Sequence, residues 1–174
     1  MRNDKILHPG LAKALAEVGH GDTVLVTDAG FPIPAGANRI DLGVVAGTVD
    51  AREILSIIRK EIFAEEVHFA PEVKTEFPQL YEDVQEICTG WGADFIAATH
   101  EELVEQWAPK AKVVIRSGSL LPWANFAIVA GTDPFAWFTK EQGVTPLPRY
   151  VVRRERITAG EVPEMMSEET EVNV

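Results

Sequence analysis

The chain has a single cysteine, Cys88, among its 174 residues. One thiol cannot form an internal disulfide, and a thiolate metal cluster needs several, so both are excluded. Cys88 falls on the apolar side of a predicted helix, which favours a role in core packing. Stability must therefore come from a hydrophobic core, for which 46% hydrophobic residues are sufficient.

Basic residues are also few. The chain has 16 Lys and Arg against 27 Asp and Glu, and its formal net charge is −11. This balance argues against nucleic acid or an anionic membrane as a partner, because both bind clustered positive charge. No apolar run approaches the roughly 20 residues that span a bilayer, and the first residues do not resemble a cleavable leader. We therefore predict a cytoplasmic protein.

The common motifs of cofactor chemistry are missing as well. The sequence has no Gly-x-Gly-x-x-Gly, no P-loop, no Gly-x-Ser-x-Gly and no His, Cys and Asp cluster with metal-ligand spacing. We predict no cofactor and no metal. Histidine, aspartate and asparagine remain, and neutral imidazole suits proton transfer because its unperturbed pKa is about 6.5.

Candidate functional residues are most concentrated between residues 19 and 34. Thr23 to Val26 is an apolar, β-branched run that predicts a buried strand, with His20 before it and Asp28 after it. At roughly 3.3 Å per strand residue the two side chains are far apart. They can share a site only if the glycine turn around His20 folds back, or if another subunit supplies one of them.

The loop after Asp28 is stiff, because Phe31-Pro32-Ile33-Pro34 contains two prolines that restrict the backbone. A rigid loop beside an acid suits the positioning of that acid. The plainer interpretation stays open at this point: Asp-Ala-Gly after a strand is often a turn, and a histidine between glycines is often a solvated loop residue.

Strands and helices alternate along the chain. Leu11 to Val18 has helical spacing, Asp50 with Glu53 and Thr99 with Glu102 form capping boxes, and Pro78 begins a further helix. Besides residues 23–26, the predicted strands are 66–70, 94–98, 113–115 and 126–129. Residues 39–45 could be strand or loop. The alternation predicts one layered α/β domain, but it does not predict the order of the strands in the sheet.

The composition of the sequence changes after Phe135, where charged residues become more frequent. Arg149 to Arg156 reads as an exposed edge strand whose charges discourage edge pairing. From Glu161 the chain is acidic, which is typical of disorder. We therefore predict one domain over residues 1–135 and a partly disordered extension over residues 136–174.

Few polar residues lie where ligands usually bind. His8 and His68 have plain structural explanations, whereas His100 follows a strand at a helix start, where α/β folds collect ligand contacts. Trp123 and Asn125 bracket a strand start and offer an aromatic face and an amide, which suits a polyhydroxylated ligand. Otherwise they are turn and core residues. The segment Arg116 to Ser119 could hold an anion, although such a segment is more often a turn.

Seven of these stretches together resemble the family of D-ribose pyranase and L-fucose mutarotase, in order and spacing, over about residues 5 to 135. They are Gly19-His20-Gly21-Asp22-Thr23, Asp28-Ala29-Gly30-Phe31-Pro32-Ile33-Pro34, Arg39-Ile40-Asp41, Pro78-Gln79-Leu80, Thr99-His100-Glu101, Val114-Ile115-Arg116-Ser117-Gly118 and Ala124-Asn125.

The resemblance implies an α/β/α domain with a central mixed sheet, assembled into a ring-shaped homo-oligomer, typically a decamer, with active sites at subunit contacts. It also implies a cofactor-free isomerase that interconverts pyranose and furanose forms of an aldose such as ribose. His20 matches the catalytic histidine. Asp28, His100 and Asn125 match the family's sugar-binding positions, and Ala124 lies within the same binding motif. With Trp123, which occupies the position of a family tyrosine, these are the predicted substrate-binding residues.

Three departures from the family pattern bear on substrate choice and assembly. Trp123 stands where the family usually has tyrosine, Ser119 replaces an acidic residue, and residues 136–174 extend beyond close relatives. Gly30 favours the ribose branch over the fucose branch, which has histidine there, although the first helix looks more like the fucose branch. A mutarotase for another monosaccharide and a non-catalytic sugar-binding protein therefore remain alternatives.

Overall fold

A computed structural model describes residues 6–166. Six strands form one sheet: β1 (Thr23–Thr27), β2 (Arg39–Asp41), β3 (Phe63–Phe69), β4 (Asp94–Ala97), β5 (Val113–Arg116) and β6 (Phe126–Gly131). Their order across the sheet is β2-β5-β1-β6-β3-β4. The five strands predicted within residues 1–135 are confirmed, and the undecided stretch that begins at Arg39 forms the short edge strand β2.

Six α-helices connect or flank these strands: α1 (Pro9–Ala16), α2 (Ala51–Glu61), α3 (Glu72–Glu76), α4 (Pro78–Cys88), α5 (His100–Glu102) and α6 (Pro148–Ala159). After α5 the chain continues as a π turn (Leu103–Trp107) and a 3-10 turn (Ala108–Lys110). Both predicted capping boxes form, at Asp50 with Glu53 and at Thr99 with Glu102. The short helix α3 was not predicted. No helix within residues 6–166 combines the length and the apolar character that crossing a membrane requires.

The sheet is mixed because β6 runs antiparallel to both of its neighbours, β1 and β3. The other pairings, β1 with β5, β2 with β5 and β3 with β4, are parallel. The carboxyl ends of the parallel strands therefore share one edge of the sheet with the start of β6. This arrangement brings together the loops that follow β1, β4 and β5 and the loop that precedes β6.

Side chains of the central strands alternate between two cores. Val24 and Val26 face a large core that contains residues of α1, α2 and α4, whereas Leu25 faces a smaller core. The smaller core contains Phe31 from the proline loop and Leu103 from the segment after α5. The predicted α/β/α layering is confirmed. Cys88 is fully buried in the larger core, as expected, and burial raises the pKa of its thiol.

Helices α2 and α4 are joined by a charged network centred on Arg52. Its guanidinium donates to Asp50 at 2.8 Å and to Asp83 at 2.7 Å. Burial alone would raise the pKa of Asp50, but hydrogen bonds from the side chain and backbone of Arg52 outweigh it, so this pKa lies below its usual value. Hydrogen bonds from Arg52 and Gln79 likewise lower the pKa of Asp83.

These pKa shifts predict an acid-dependent contribution to stability. Lowered carboxylate pKa values stabilise the fold above about pH 4, the unfolded value, and that stability is lost as the pH falls through the folded values. Because Arg52 is 39% exposed, we expect Arg52→Met to cost about 1 kcal/mol or less in the free energy of unfolding at pH 7. Urea unfolding should show this difference shrinking toward pH 3. A difference independent of pH would contradict the role of the ion pairs.

The predicted edge strand at Arg149 to Arg156 is wrong, since these residues lie within α6. Pro148 occupies the first turn of this helix, and Gly160 ends it in the left-handed conformation with φ of 62°. Tyr150 and Arg153, three residues apart on one face, are buried. The helical end signals and this spacing outweigh the charge pattern that suggested a strand.

Residues 163–166 lie against α4 and the outer edge of β4, which differs from the predicted disorder. Met165 forms a parallel bridge with Phe95, and its N–H donates to the Tyr81 hydroxyl at 2.9 Å. The Tyr81 hydroxyl donates to Glu164 at 3.0 Å. Burial, together with the Glu164 carboxylate, raises the pKa of Tyr81 to about 12. The rest of the predicted disordered tail, residues 167–174, lies outside the described residues.

Candidate functional site

Asp28, directly after β1, is held in one orientation by two donors. Its Oδ1 accepts from the Gly30 N–H at 2.8 Å, and its Oδ2 accepts from Asn125 Nδ2 at 2.8 Å. Asn125 Oδ1 in turn accepts from the Asp28 N–H at 2.9 Å. The amide thus clamps both the backbone and the carboxylate of Asp28. Asn125 has no exposed surface, so it acts from beneath the site.

The loop before β6 brings Asn125 to this position through an unusual backbone turn. Trp123 is in the left-handed region with φ of 59°, where bulky residues are rare, and its carbonyl accepts from the Asn125 N–H at 2.6 Å. Ala124 between them is fully buried. A strained residue held by its surroundings is a common feature of binding sites.

The turn after β5 supports the same loop. The hydroxyl of Ser117 donates to the Thr27 carbonyl at 2.7 Å, and the Ser119 carbonyl accepts from the Ala29 N–H at 2.9 Å. Arg116 donates to Asp41 of β2 at 2.6 Å. Burial of Asp41 is outweighed by its bonds with Arg39 and Arg116, so the pKa of Asp41 is lowered. These contacts agree with the turn interpretation of this segment.

A hollow of about 280 Å³ opens above Asp28. It is lined by Asp28, Gly30, Phe31, His100, Pro122 and Trp123. The His100 ring meets Phe31 edge-on, with ring centroids 5.6 Å apart, and Trp123 packs against Phe77 at 6.0 Å. A fixed carboxylate, an imidazole and an indole on one concave surface can accept and donate hydrogen bonds to hydroxyls and cover an apolar ring face.

His20 does not belong to this hollow within one chain. It precedes β1, whereas Asp28 follows it, and the five residues of β1 separate them by about 16 Å at 3.3 Å per residue. The glycine turn does not fold back, because the Gly21 N–H donates to the Ala130 carbonyl of β6 at 2.8 Å. His20 is 42% exposed, and its Nδ1 lies 3.8 Å from Glu65 Oε1.

The structure thus brings together five of the six residues predicted for the site. Asp28, His100 and Trp123 line the hollow, and Ala124 and Asn125 lie beneath it. His68, for which the sequence predicted a structural role, is buried. Its ring forms a hydrogen bond with Glu66 at 2.8 Å and packs on Trp107 with ring centroids 4.0 Å apart.

Three lining residues were not predicted as site residues. Gly30, Phe31 and Pro122 all border the hollow. Phe31 carried a sequence signal, since it belongs to the stiff loop three residues after Asp28. Nothing in the sequence indicated Pro122 as a site residue except its position next to Trp123. Within residues 6–166, no three His, Cys, Asp or Glu side chains converge as a metal site requires.

Comparisons with known proteins agree on one family. The model of the RbsD / FucU transport protein family matches residues 1–133. A D-ribose pyranase of Rubrobacter xylanophilus is 38% identical over 146 residues, which are 84% of this chain and 94% of that protein. A D-ribose pyranase of Streptomyces griseus is also 38% identical over 146 residues, covering 84% of this chain and 95% of its own length.

Solved structures show the same likeness. RbsD of Bacillus subtilis, complexed with D-ribose, is 31% identical and superposes with a TM-score of 0.70 over 76% of this chain and 99% of its own. The fucose mutarotase of Streptococcus pneumoniae, in complex with L-fucose, is 25% identical with a TM-score of 0.62 over 73% of this chain and 94% of its own. With a fold and a sequence that both match, the chain belongs to the RbsD / FucU family.

Proposed function

We propose that this protein is a cofactor-independent isomerase that interconverts the pyranose and furanose forms of an aldose such as D-ribose. The observation that carries the proposal is the hollow above Asp28, whose carboxylate is fixed by Asn125 and faced by His100 and Trp123. The relatives named D-ribose pyranase support the substrate class.

In this proposal His20 is the acid and base. Ring opening requires a proton on the ring oxygen and the loss of a proton from the anomeric hydroxyl as the C–O bond breaks to give the open-chain aldehyde. Attack by a different hydroxyl on that aldehyde closes the other ring. One imidazole serves both halves, because it can donate and accept a proton near neutral pH, and such catalysis contributes typically 10²- to 10⁴-fold.

The other site residues would bind and orient the sugar. Asp28 accepts from sugar hydroxyls through the lone pairs that Gly30 and Asn125 leave free, and His100 donates or accepts on the facing side. The indole of Trp123 covers an apolar face of the ring. Asn125 and Ala124, both buried, contribute by shaping the loop and holding Asp28.

A complete site then needs a second copy of the chain, because His20 and Asp28 lie beyond opposite ends of β1. We propose a ring-shaped homo-oligomer, a decamer as in the family resemblance, in which His20 of one subunit approaches the hollow of the next. We also propose that the enzyme acts in the cytoplasm, and that residues 136–174 form an extension to the domain of residues 1–135.

Exchange-sensitive NMR of D-ribose tests the proposal. Catalytic amounts of native protein should accelerate pyranose and furanose exchange, with L-fucose and galactose measured in parallel. If the protein accelerates the exchange of only another sugar, that sugar and not ribose is the substrate. Saturation-transfer contacts without faster exchange would favour a non-catalytic sugar-binding protein, and light scattering on the same sample would report the subunit number.

Trp123 is the observation that favours a second candidate, a mutarotase for another monosaccharide. Indole N–H donates but cannot accept, whereas a tyrosine hydroxyl does both. If the site still prefers ribose, we expect Trp123→Tyr to lower KM for ribose several-fold with kcat little changed. The matched control is Trp137→Tyr, an exposed indole outside the hollow. The second candidate would be favoured if the native protein accelerated the ring exchange of a larger aldose more than that of ribose.

A further inference from the structure

Glu65 occupies a special position in β3. The pairing of β3 with β6 shifts register between Ala64 and Glu66, so Glu65 is the extra residue of a β-bulge. Bulges redirect side chains and are common near active sites. The Glu65 side chain lies over Gly131 of β6, where a Cβ atom would stand 2.4 Å from Glu65 Cγ. This glycine leaves the space that the carboxylate needs to reach His20.

The carboxylate of Glu65 faces the proposed catalytic histidine. Glu65 Oε1 lies 3.8 Å from His20 Nδ1, within ion-pair reach, and a small movement would make it a hydrogen bond. Catalytic hydrogen bonds are often long in unliganded enzymes and shorten when substrate binds. The nearby Asp22 is turned away, because it accepts from the Gly19 N–H at 2.9 Å and lies 3.4 Å from the Lys112 ammonium.

Glu65 is in turn held by Arg153 of α6. Arg153 is 5% exposed, and its guanidinium donates to Glu65 Oε1 at 3.2 Å. It also donates to the carbonyls of Ala64 at 3.0 Å and Thr132 at 3.3 Å. Arg153 belongs to the extension, beyond residue 133 where the family match ends. The extension therefore places a buried cation directly behind the carboxylate that faces His20.

A buried guanidinium is costly unless a carboxylate accompanies it, which fixes the Glu65 side chain in its position. Burial lowers the pKa of Arg153, and the charge of Glu65 counteracts this effect. Tyr150 and Asp133 also favour the charged guanidinium, whereas Arg149 opposes it. The Arg153 Nε atom has no hydrogen-bond partner among residues 6–166, so its two terminal nitrogens make all the bonds that hold it there.

We propose that Glu65 is a positioning residue for His20, and that Arg153 of the C-terminal extension holds Glu65 in place. The inference rests on the proposed acid and base role of His20. A carboxylate that accepts from Nδ1–H keeps the proton on that nitrogen and leaves the lone pair of Nε2 available to the sugar. It also stabilises the imidazolium that forms during proton transfer.

The test is Glu65→Gln, read by both kinetics and spectroscopy. The variant keeps the size of the side chain and an oxygen for Arg153 but loses the charge. We expect kcat for sugar exchange to fall by about 10- to 100-fold with KM little changed, because sugar contacts are untouched. In protein labelled with ¹⁵N at histidine, the two ring signals of His20 should move toward a mixture of tautomers. Glu65→Asp, which keeps the charge, should recover part of kcat.

Two further variants separate positioning from a purely structural role. Arg153→Met should lower kcat in the same way as Glu65→Gln. Arg156→Gln, on the same helix, breaks the pairs with Asp94 at 2.5 Å and Glu161 at 3.5 Å. This control should leave kcat and the His20 signals unchanged. Correctly folded Glu65→Gln with native kcat and native His20 signals would overturn the inference.

The spectroscopic arm also separates this inference from the proposed function. If the native protein accelerates no sugar exchange, the isomerase proposal fails. The ¹⁵N signals of His20 still decide the contact with Glu65, because they do not depend on turnover. If the His20 ring signals change in Glu65→Gln, they support the contact between Glu65 and His20. If these signals stay the same, they overturn it.

Discussion

Replacement of His20 by alanine is expected to lower the rate of sugar ring exchange by about 10²- to 10⁴-fold, the usual contribution of a positioned acid and base. Sugar binding should persist, because the hollow above Asp28 lacks His20 in its own chain. Exchange NMR measures the rate, and saturation-transfer NMR measures the binding. The matched control is His8→Asn, which removes an imidazole from the cap of α1, where His8 accepts from the Leu11 N–H, and replaces it with another good cap.

Mixed oligomers test whether two subunits share the site. His20→Ala and Asp28→Ala should each be inactive alone. If each site takes His20 from one subunit and Asp28 from its neighbour, random mixing leaves about a quarter of the sites with both residues intact. Co-expressed subunits should therefore regain about a quarter of native activity. No recovery would mean that each chain holds its own site, contrary to the separation along β1.

Gly118→Ala is expected to have the largest effect on stability. A Cβ atom at this position would lie 2.0 Å from the Thr48 carbonyl oxygen and 2.9 Å from that of Val45, both backbone atoms that cannot rotate away. The Gly118 N–H also donates to the Val49 carbonyl at 2.8 Å, so the two loops are tied together. We expect a loss of about 3 kcal/mol in the free energy of unfolding, the upper range for overpacking.

Urea unfolding measures this loss, and Gly36→Ala is the control. A Cβ atom at Gly36 meets nothing within 4 Å, so its substitution should change stability little. Gly118→Ala should also weaken sugar binding, because the next residue, Ser119, holds the Ala29 N–H beside Asp28. Equal stability of the two variants would show that the loop around Thr48 moves freely, against the close approach seen in the structure.

Local signals predicted most of the secondary structure. The capping boxes at Asp50 and Thr99 start helices in the structure where the sequence placed them, because the cap bonds are made within four residues. The apolar run from Thr23 predicts a buried strand because only the centre of a sheet hides both faces. The charges of Arg149 to Arg156 predict an edge strand, but Pro148 and Gly160 are the end signals of a helix, and the segment is helical.

The sequence by itself determined the α/β class, the starts of α2, α4 and α5, and the residue types of a sugar site, since these depend on neighbours along the chain. Only the tertiary structure decided which of these residues meet. The antiparallel β6 brings Asn125 under Asp28, across 97 positions of sequence. The bulge in β3 and the buried Arg153 direct Glu65 toward His20. Such contacts join distant segments, and they follow from strand order and packing, which local patterns do not encode.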